Sequence, residues 1–196
     1  MTIVLEDFSG PGFAPHSDAL AALRIEVFRD WPYLYDGDAA YEADYLRAYT
    51  DSPNAVIVAA WDGSRLVGAA TGAPMEDHAE AFGAPLEQAG FDLRDVFYCG
   101  ESVLLPAYRG QGIGHAFFDR REAAARRLGR RYACFCAVIR PDTHPARPAA
   151  HRTLDPFWRK RGYVPHEDIT ASFAWRDVGD TAETEKSMRV WLRRLE

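Results

Sequence analysis

Apolar and polar positions along this chain follow two rhythms, and the places where the rhythm changes mark out its elements. Residues 3–8 read as a short strand. Ser17 or Asp18 caps a helix running to about residue 29, with Leu20, Leu23, Val27 and Phe28 on one side. A second helix is expected over roughly 39–49. Residues 55–61 and 65–71 are strands joined by Asp62, Gly63 and Ser64, a hairpin signal. The stretch 76–89 predicts a helix broken near Gly83, Ala84 and Pro85. A long strand covers 95–105, a helix 113–128 and another strand 132–139. A loop with three prolines (Pro141, Pro145, Pro148) leads to a short helix at 155–161, ended by Gly162. Strands at 170–176 and 187–195 close the pattern. No repeat, low-complexity tract or linker interrupts it, so the 196 residues are expected to form one domain.

Composition narrows the class. Net charge is -6, which disfavours nucleic acid as a partner and suits cationic small substrates. The three cysteines are Cys99, Cys134 and Cys136; the last two alternate within an apolar run. That odd count predicts buried, reduced thiols and a cytoplasmic protein. The N-terminal residues lack a basic segment followed by an apolar one, and no run has membrane-spanning length. His and Cys spacing gives no metal site, and no Ser-His-Asp set is apparent.

The chemistry concentrates in Tyr108-Arg109-Gly110-Gln111-Gly112-Ile113-Gly114-His115, set between an expected strand and an expected helix. The first amides of a helix lack partners within it and carry partial positive charge. Glycines let a phosphate approach them without a Cβ in the way. The segment therefore predicts a phosphate or pyrophosphate site. It is not a Walker A loop, because His115 follows the last glycine where Lys-Ser/Thr is required. Nor is it a dinucleotide fingerprint: His115 or Phe117 stands where that motif needs a small residue.

Arg109 to Gly114 instead resembles the R/Q-x-x-G-x-G/A loop of the GNAT superfamily, the acyl-CoA-dependent N-acetyltransferases, and Pro106 and Tyr108 are typical of it. The order of elements is similar throughout, and Phe157-Trp158-Arg159-Lys160-Arg161-Gly162-Tyr163 resembles the family's late L-Y-E-K-x-G-F segment. The resemblance implies an α/β (α+β) fold: a mixed, mostly antiparallel sheet of six or seven strands, splayed between strands 4 and 5 and flanked by about four helices. It implies acetyl-CoA as acyl donor and no metal. The pyrophosphate would sit on the amides of Gln111, Gly112, Ile113 and Gly114, flanked by Arg109, Gly110 and His115. The pantetheine arm would pair with the backbone of Ser102, Val103 and Leu104. An amide near Leu104 or Leu105 would polarise the thioester carbonyl. A homodimer through the C-terminal strands is a family-level expectation.

Transfer to an amine requires a proton to leave the ammonium and one to reach the departing thiolate. The family's tyrosine acid is replaced here by Trp158, and the asparagine seven residues earlier by His151. Glu101 reads two ways, as the base acting through a water or as a surface or ion-paired glutamate near a strand bulge. His144 and His151, in and beside the proline-rich loop, read as proton shuttles or as solvated histidines. Tyr163 and Tyr98 read as core. Arginines 120, 121, 126, 127, 130 and 131 could meet the CoA 3′-phosphate, although most are expected to be solvated; Arg120 falls where the helix stripe should be apolar. For the acceptor, Trp31, Tyr33, Tyr35 and Asp36 combine aromatic faces with a carboxylate, as does the segment 76–80, with Glu76 and Glu80. Their alternative is an aromatic staple with a solvated acidic rim. A small amine or amino-acid-like acceptor is expected, with a protein N-terminus or lysine, a longer acyl group, or acyl-CoA binding without turnover as alternatives.

Overall fold

The computed structural model describes residues 3–196, apart from the side chains of residues 80 and 81, so the Glu80 expectation lies outside the described residues. Seven strands form one sheet: β1 (Val4–Ser9), β2 (Val56–Asp62), β3 (Arg65–Pro74), β4 (Val96–Leu104), β5 (Tyr132–Val138), β6 (Val164–Trp175) and β7 (Thr184–Arg194). Their spatial order is β1-β2-β3-β4-β5-β7-β6, antiparallel except for the β4–β5 pair. β2 and β3 lie inside the sheet with both faces covered, which is why their sequences are continuous apolar runs. Gly63, at φ 59°, turns the hairpin between them and closes the Asp62–Arg65 pair.

The helices are α1 (Gly10–Phe13), α2 (Ser17–Phe28), α3 (Ala39–Thr50), α4 (Ala84–Gln88), α5 (Ile113–Arg127) and α6 (Asp155–Lys160). Asp38 caps α3 by accepting from the amides of Ala40 and Tyr41 at 2.9 Å each. α5 turns a stripe of Ile113, Phe117, Phe118, Ala124 and Ala125 onto the sheet. Two expectations are corrected and one element is added. The 76–89 stretch is a 3-10 turn, a π turn and only then α4, because Pro85 cannot sit inside a helix and starts a new one instead. β6 begins at Val164 rather than residue 170, with a register shift between His166 and Thr170 that hid its period. The short α1 was not expected from the sequence; Ser9 caps it and it packs on the end of α3.

Two features of the sheet prepare a site. β4 and β5 pair only through Val96–Tyr132, Phe97–Ala133 and Tyr98–Cys134. Beyond them β4 stays with β3 and β5 with β7, so the sheet opens into a V. Two apolar clusters span both arms. One joins β1–β4, α2 and α5 to Ala133, Phe135 and Trp191 of β5 and β7, and the other gathers Tyr98 of β4 with Cys134, Cys136, Ile169, Trp175 and Met188. Secondly, β4 carries a bulge: Ala70 faces Ser102 and Gly72 faces Cys99, so Gly100 and Glu101 together oppose Thr71.

Candidate active site at the splayed strands

At the mouth of the V, β4 ends and a 3-10 turn (Pro106–Tyr108) leads into the glycine segment. Gly110 and Gly112 are left-handed, at φ 77° and 83°, with open space where a Cβ would stand. Gly112 is the N-cap of α5 and no side chain caps it. The amides of residues 110–114 have no hydrogen-bond partner among the described residues, and the ladder of α5 starts at His115 and Ala116, which donate to the Gly112 carbonyl. The outcome is a ring of free, outward amides at a helix N-terminus, the geometry an anion needs. Gly114 differs from its neighbours: its φ is ordinary, and a Cβ there would meet only the Phe157 ring, at 3.8 Å. Arg109 points back and donates to the Leu104 carbonyl (3.2 Å). His115 packs edge-on to Phe157 and lies 3.3 Å from Arg161.

From the cradle inward, the β5-facing edge of Ser102, Val103 and Leu104 has no strand partner, because β5 has already diverged. At the bulge the Glu101 side chain is buried. Its Oε2 receives the Arg24 guanidinium at 2.7 Å and the Tyr45 hydroxyl at 3.1 Å. Its Oε1 is buried without a protein partner. Tyr45 and Tyr49 hydroxyls are 3.4 Å apart. Tyr49 reaches Gly100 so closely that any side chain there would collide with its hydroxyl, which explains the glycine. Burial, reinforced by the Glu101 charge, pushes both tyrosines well above the ordinary phenol range, so they act as neutral hydroxyls. His78 packs at a tilt against Tyr49 with centroids 4.5 Å apart; burial lowers its pKa despite the nearby Glu101 and Asp77. Arg24 opposes its own burial through Glu101, Tyr45 and Glu42 and remains a fixed cation.

Arg121 corrects an expectation. Grouped by sequence with solvated arginines, it is among the largest fully buried side chains. It donates to the carbonyls of Thr71 (3.2 Å) and Glu101 (3.0 Å) and to the Ser102 hydroxyl (2.8 Å), so it staples the two sides of the bulge. Its neighbour Arg120 meets Asp7 of β1 at 2.7 Å. Sequence reasoning also passed over Arg24, Glu42, Tyr45 and Tyr49, and had placed His78 only within the 76–80 acceptor segment. The signal was present, since Arg24 sits four residues after Leu20 and Arg121 four after Phe117, each on an apolar face. Trp158, at the position of the missing acid, wedges between Phe135 (4.9 Å) and Trp191 (5.0 Å).

The segment 29–38 crosses from α2 to the β6–β7 corner. Arg140, its side chain 9% exposed, donates to the carbonyls of Pro32 (3.0 Å) and Tyr33 (2.8 Å) and pairs with Asp177 (2.7 Å). Trp175 donates its indole N–H to the same Tyr33 carbonyl at 3.0 Å. Burial pulls the Asp177 carboxyl up, but the Arg140 and Lys186 cations outweigh it and hold the group below its ordinary value. Burial pushes the Tyr33 hydroxyl up to about 12. Tyr35 and Asp36 line a cavity of about 170 Å³ with Trp175 and Glu183. Asp36 is already paired with Arg29 and Arg176. Trp31 is flanked by His144 and His151, with centroids 5.2 and 5.8 Å away, so the proline-rich loop is packed against this segment. Glu76 stands apart: it pairs with Arg130, beyond the closed end of the β4–β5 pair. Cys99, Cys134 and Cys136 are free and buried. No group of three potential metal ligands occurs among the described residues.

A model of the acetyltransferase (GNAT) family matches residues 20–163. The chain belongs to the GNAT acetyltransferase family. Solved structures share the fold at low identity. A putative acetyltransferase from Acinetobacter baylyi has 14% identity and a TM-score of 0.64, covering 99% of this chain and 93% of its own. A putative acetyltransferase from Salmonella typhimurium, solved with its cofactor acetyl-CoA, has 12% identity and a TM-score of 0.62, covering 100% and 95%. A ribosomal-protein-alanine N-acetyltransferase from Brucella melitensis has 13% identity and a TM-score of 0.62, covering 98% and 99%. No curated protein matches the chain. As a GNAT enzyme the protein is an acyltransferase with a mixed α/β fold, and its split sheet and glycine cradle are the parts that the sequence resemblance had implied. No helix among the described residues is long and apolar enough to cross a membrane.

Proposed function

We propose that residues 1–196 act as one acyltransferase domain, a cytoplasmic N-acetyltransferase that moves an acetyl group from acetyl-CoA to a primary amine of a small or amino-acid-like acceptor, by direct attack in a ternary complex. The observation that carries the reading is continuity. Free amides at residues 110–114 lead along the edge of Ser102, Val103 and Leu104, which no strand pairs on the β5 side, to Glu101 at the bulge. Those amides suit the pyrophosphate, and the strand edge suits the amide groups of a pantetheine arm. Acetyl-CoA supplies the activated acyl group. The chain supplies orientation and a proton acceptor: Glu101 Oε1, free of protein partners, takes the proton of the incoming ammonium through a water. Trp31, Tyr33 and Tyr35 offer aromatic faces to that ammonium.

Trp158 favours a second reading, acyl-CoA binding without turnover, because an indole packed against Phe135 and Trp191 supplies no proton to a thiolate. One experiment separates the two. Thiol release from acetyl-CoA is followed across a panel of a polyamine, an arylalkylamine and free amino acids, beside the melting temperature with and without acetyl-CoA. Amine-dependent release supports the transferase. A melting temperature raised by acetyl-CoA, with no release for any amine, supports the binding module.

A further inference from the structure

The buried ion cluster on Glu101 holds one carboxylate more than the pairing requires. Glu42 on α3 is fully buried and its Oε2 pairs with Arg24 Nε. Glu101 uses Arg24 Nη1, at 2.7 Å. A single guanidinium, seated over the Tyr45 ring at 4.1 Å and the Phe28 ring at 5.1 Å, is thus shared by two carboxylates from different elements. Each carboxylate keeps its second oxygen, Oε1, buried and outside hydrogen-bond geometry, with the Tyr35 hydroxyl facing the Glu42 carboxylate. The other groups around Glu101 are Tyr45 and Tyr49 from α3, His78 from the 75–78 turn, Tyr33 from the 29–38 segment, and Arg121 from α5, which holds the Glu101 carbonyl rather than its carboxylate. Among these Arg24 is the cation that contacts the carboxylate. A buried carboxylate that owned this cation alone would be a tight ion pair and a poor proton acceptor. A second carboxylate on the same fork divides its field.

We propose that Glu42 is a positioning residue: it occupies one side of Arg24, so that the guanidinium steers Glu101 through Oε2 while Oε1 stays competent to accept a proton. The inference rests on the reading of Glu101 as the base. Its test uses whole protein saturated with acetyl-CoA and carrying ¹³C at the glutamate side-chain carboxyls. The Glu101 resonance is assigned by its loss in Glu101→Gln, and its titration midpoint is followed with pH. Glu42→Gln removes the competing charge and should move that midpoint down by about one pH unit. The kcat with the best amine of the panel should fall while KM for acetyl-CoA holds. Glu42→Asp keeps the charge and should restore both toward native values. If Glu42→Gln does not fold, Arg24→Lys replaces the fork by a point charge that serves one carboxylate, and the midpoint should again leave its native position. A native midpoint in the folded variant overturns the proposal. The two failures are distinct: Glu101→Gln releasing thiol at the native rate removes the base reading, and the inference with it, whereas an unmoved midpoint removes the inference alone.

Discussion

Replacing Gly112 and Gly114 by alanine, one at a time, separates what the glycine turn does for the fold from what it does for the ligand. At Gly112 the backbone is left-handed (φ 83°) and a Cβ would meet no atom within 4 Å. The cost is therefore conformational, about 1–2 kcal/mol for a non-glycine residue held in that region. For a domain of this size each kcal/mol corresponds to a melting shift of about 2–4 °C, so Gly112→Ala should melt about 2–8 °C lower. If the turn instead relaxes, the amides of Gln111, Gly112, Ile113 and Gly114 lose their common aim. Losing one hydrogen bond to a charged phosphate, worth about 1.5–3 kcal/mol, weakens acetyl-CoA binding by about tenfold or more. At Gly114 the backbone is helical and an added methyl reaches Phe157 at 3.8 Å, an ordinary contact. Gly114→Ala should therefore melt at or slightly above the native temperature, since alanine is the better helix former, and bind acetyl-CoA normally. Calorimetric titration with acetyl-CoA and thermal unfolding of both variants provide the check. Equal losses in the two variants, or none at Gly112, would refute the reasoning, because the two glycines would then not differ in backbone demand.

Other outcomes follow from the buried charges and the aromatic wedge. Glu101→Gln keeps the shape of the bulge and should lower amine-dependent kcat by about 100-fold with little change in acetyl-CoA affinity, as steady-state kinetics would show. Arg121→Leu leaves the Thr71 and Glu101 carbonyls buried and unserved, and should cost about 3 kcal/mol or more by denaturant unfolding, because more than one acceptor loses its partner. Trp158→Ala removes a partly buried indole from between Phe135 and Trp191 and should cost about 1–3 kcal/mol. Asp177 has its folded pKa below the ordinary value, so its contribution is present above the unfolded carboxylate pKa of about 4 and is lost as pH falls through the lower folded value. Asp177→Asn should accordingly be less stable than the native chain at pH 7, and the gap should close on acidification below about pH 4.

The parts of this protein that were legible in sequence are those set by neighbours along the chain. The glycine turn is one, because positive φ at Gly110 and Gly112 is written in the residue type. The hairpin at Gly63 and the apolar runs of β2 and β3 are others. What escaped was set by tertiary partners. Arg24 and Arg121 carry the residue type of the surface, and only the carboxylates and carbonyls brought to them from other elements make burial tolerable. A bulge near Glu101 was expected, but its register was not legible: two residues facing one is a property of a strand pair and not of either strand. Trp158 was correctly seen to lack an acid function, yet its place between Phe135 and Trp191 depends on β5 and β7 lying side by side.

The latch of Arg140 and Trp175 on the Tyr33 carbonyl has a consequence for the order in which the molecule is built. Its partners lie more than a hundred residues apart in the chain, and Asp177, Trp175 and Lys186 all belong to the β6–β7 corner. Contacts of such separation form late, because the intervening chain must be ordered first. During synthesis the 29–38 segment therefore waits, unfastened, for the last pair of strands. A nascent chain therefore fixes the backbone of residues 32 and 33 only after β6 has emerged, and lesions at Arg140 or Trp175 should loosen that segment first.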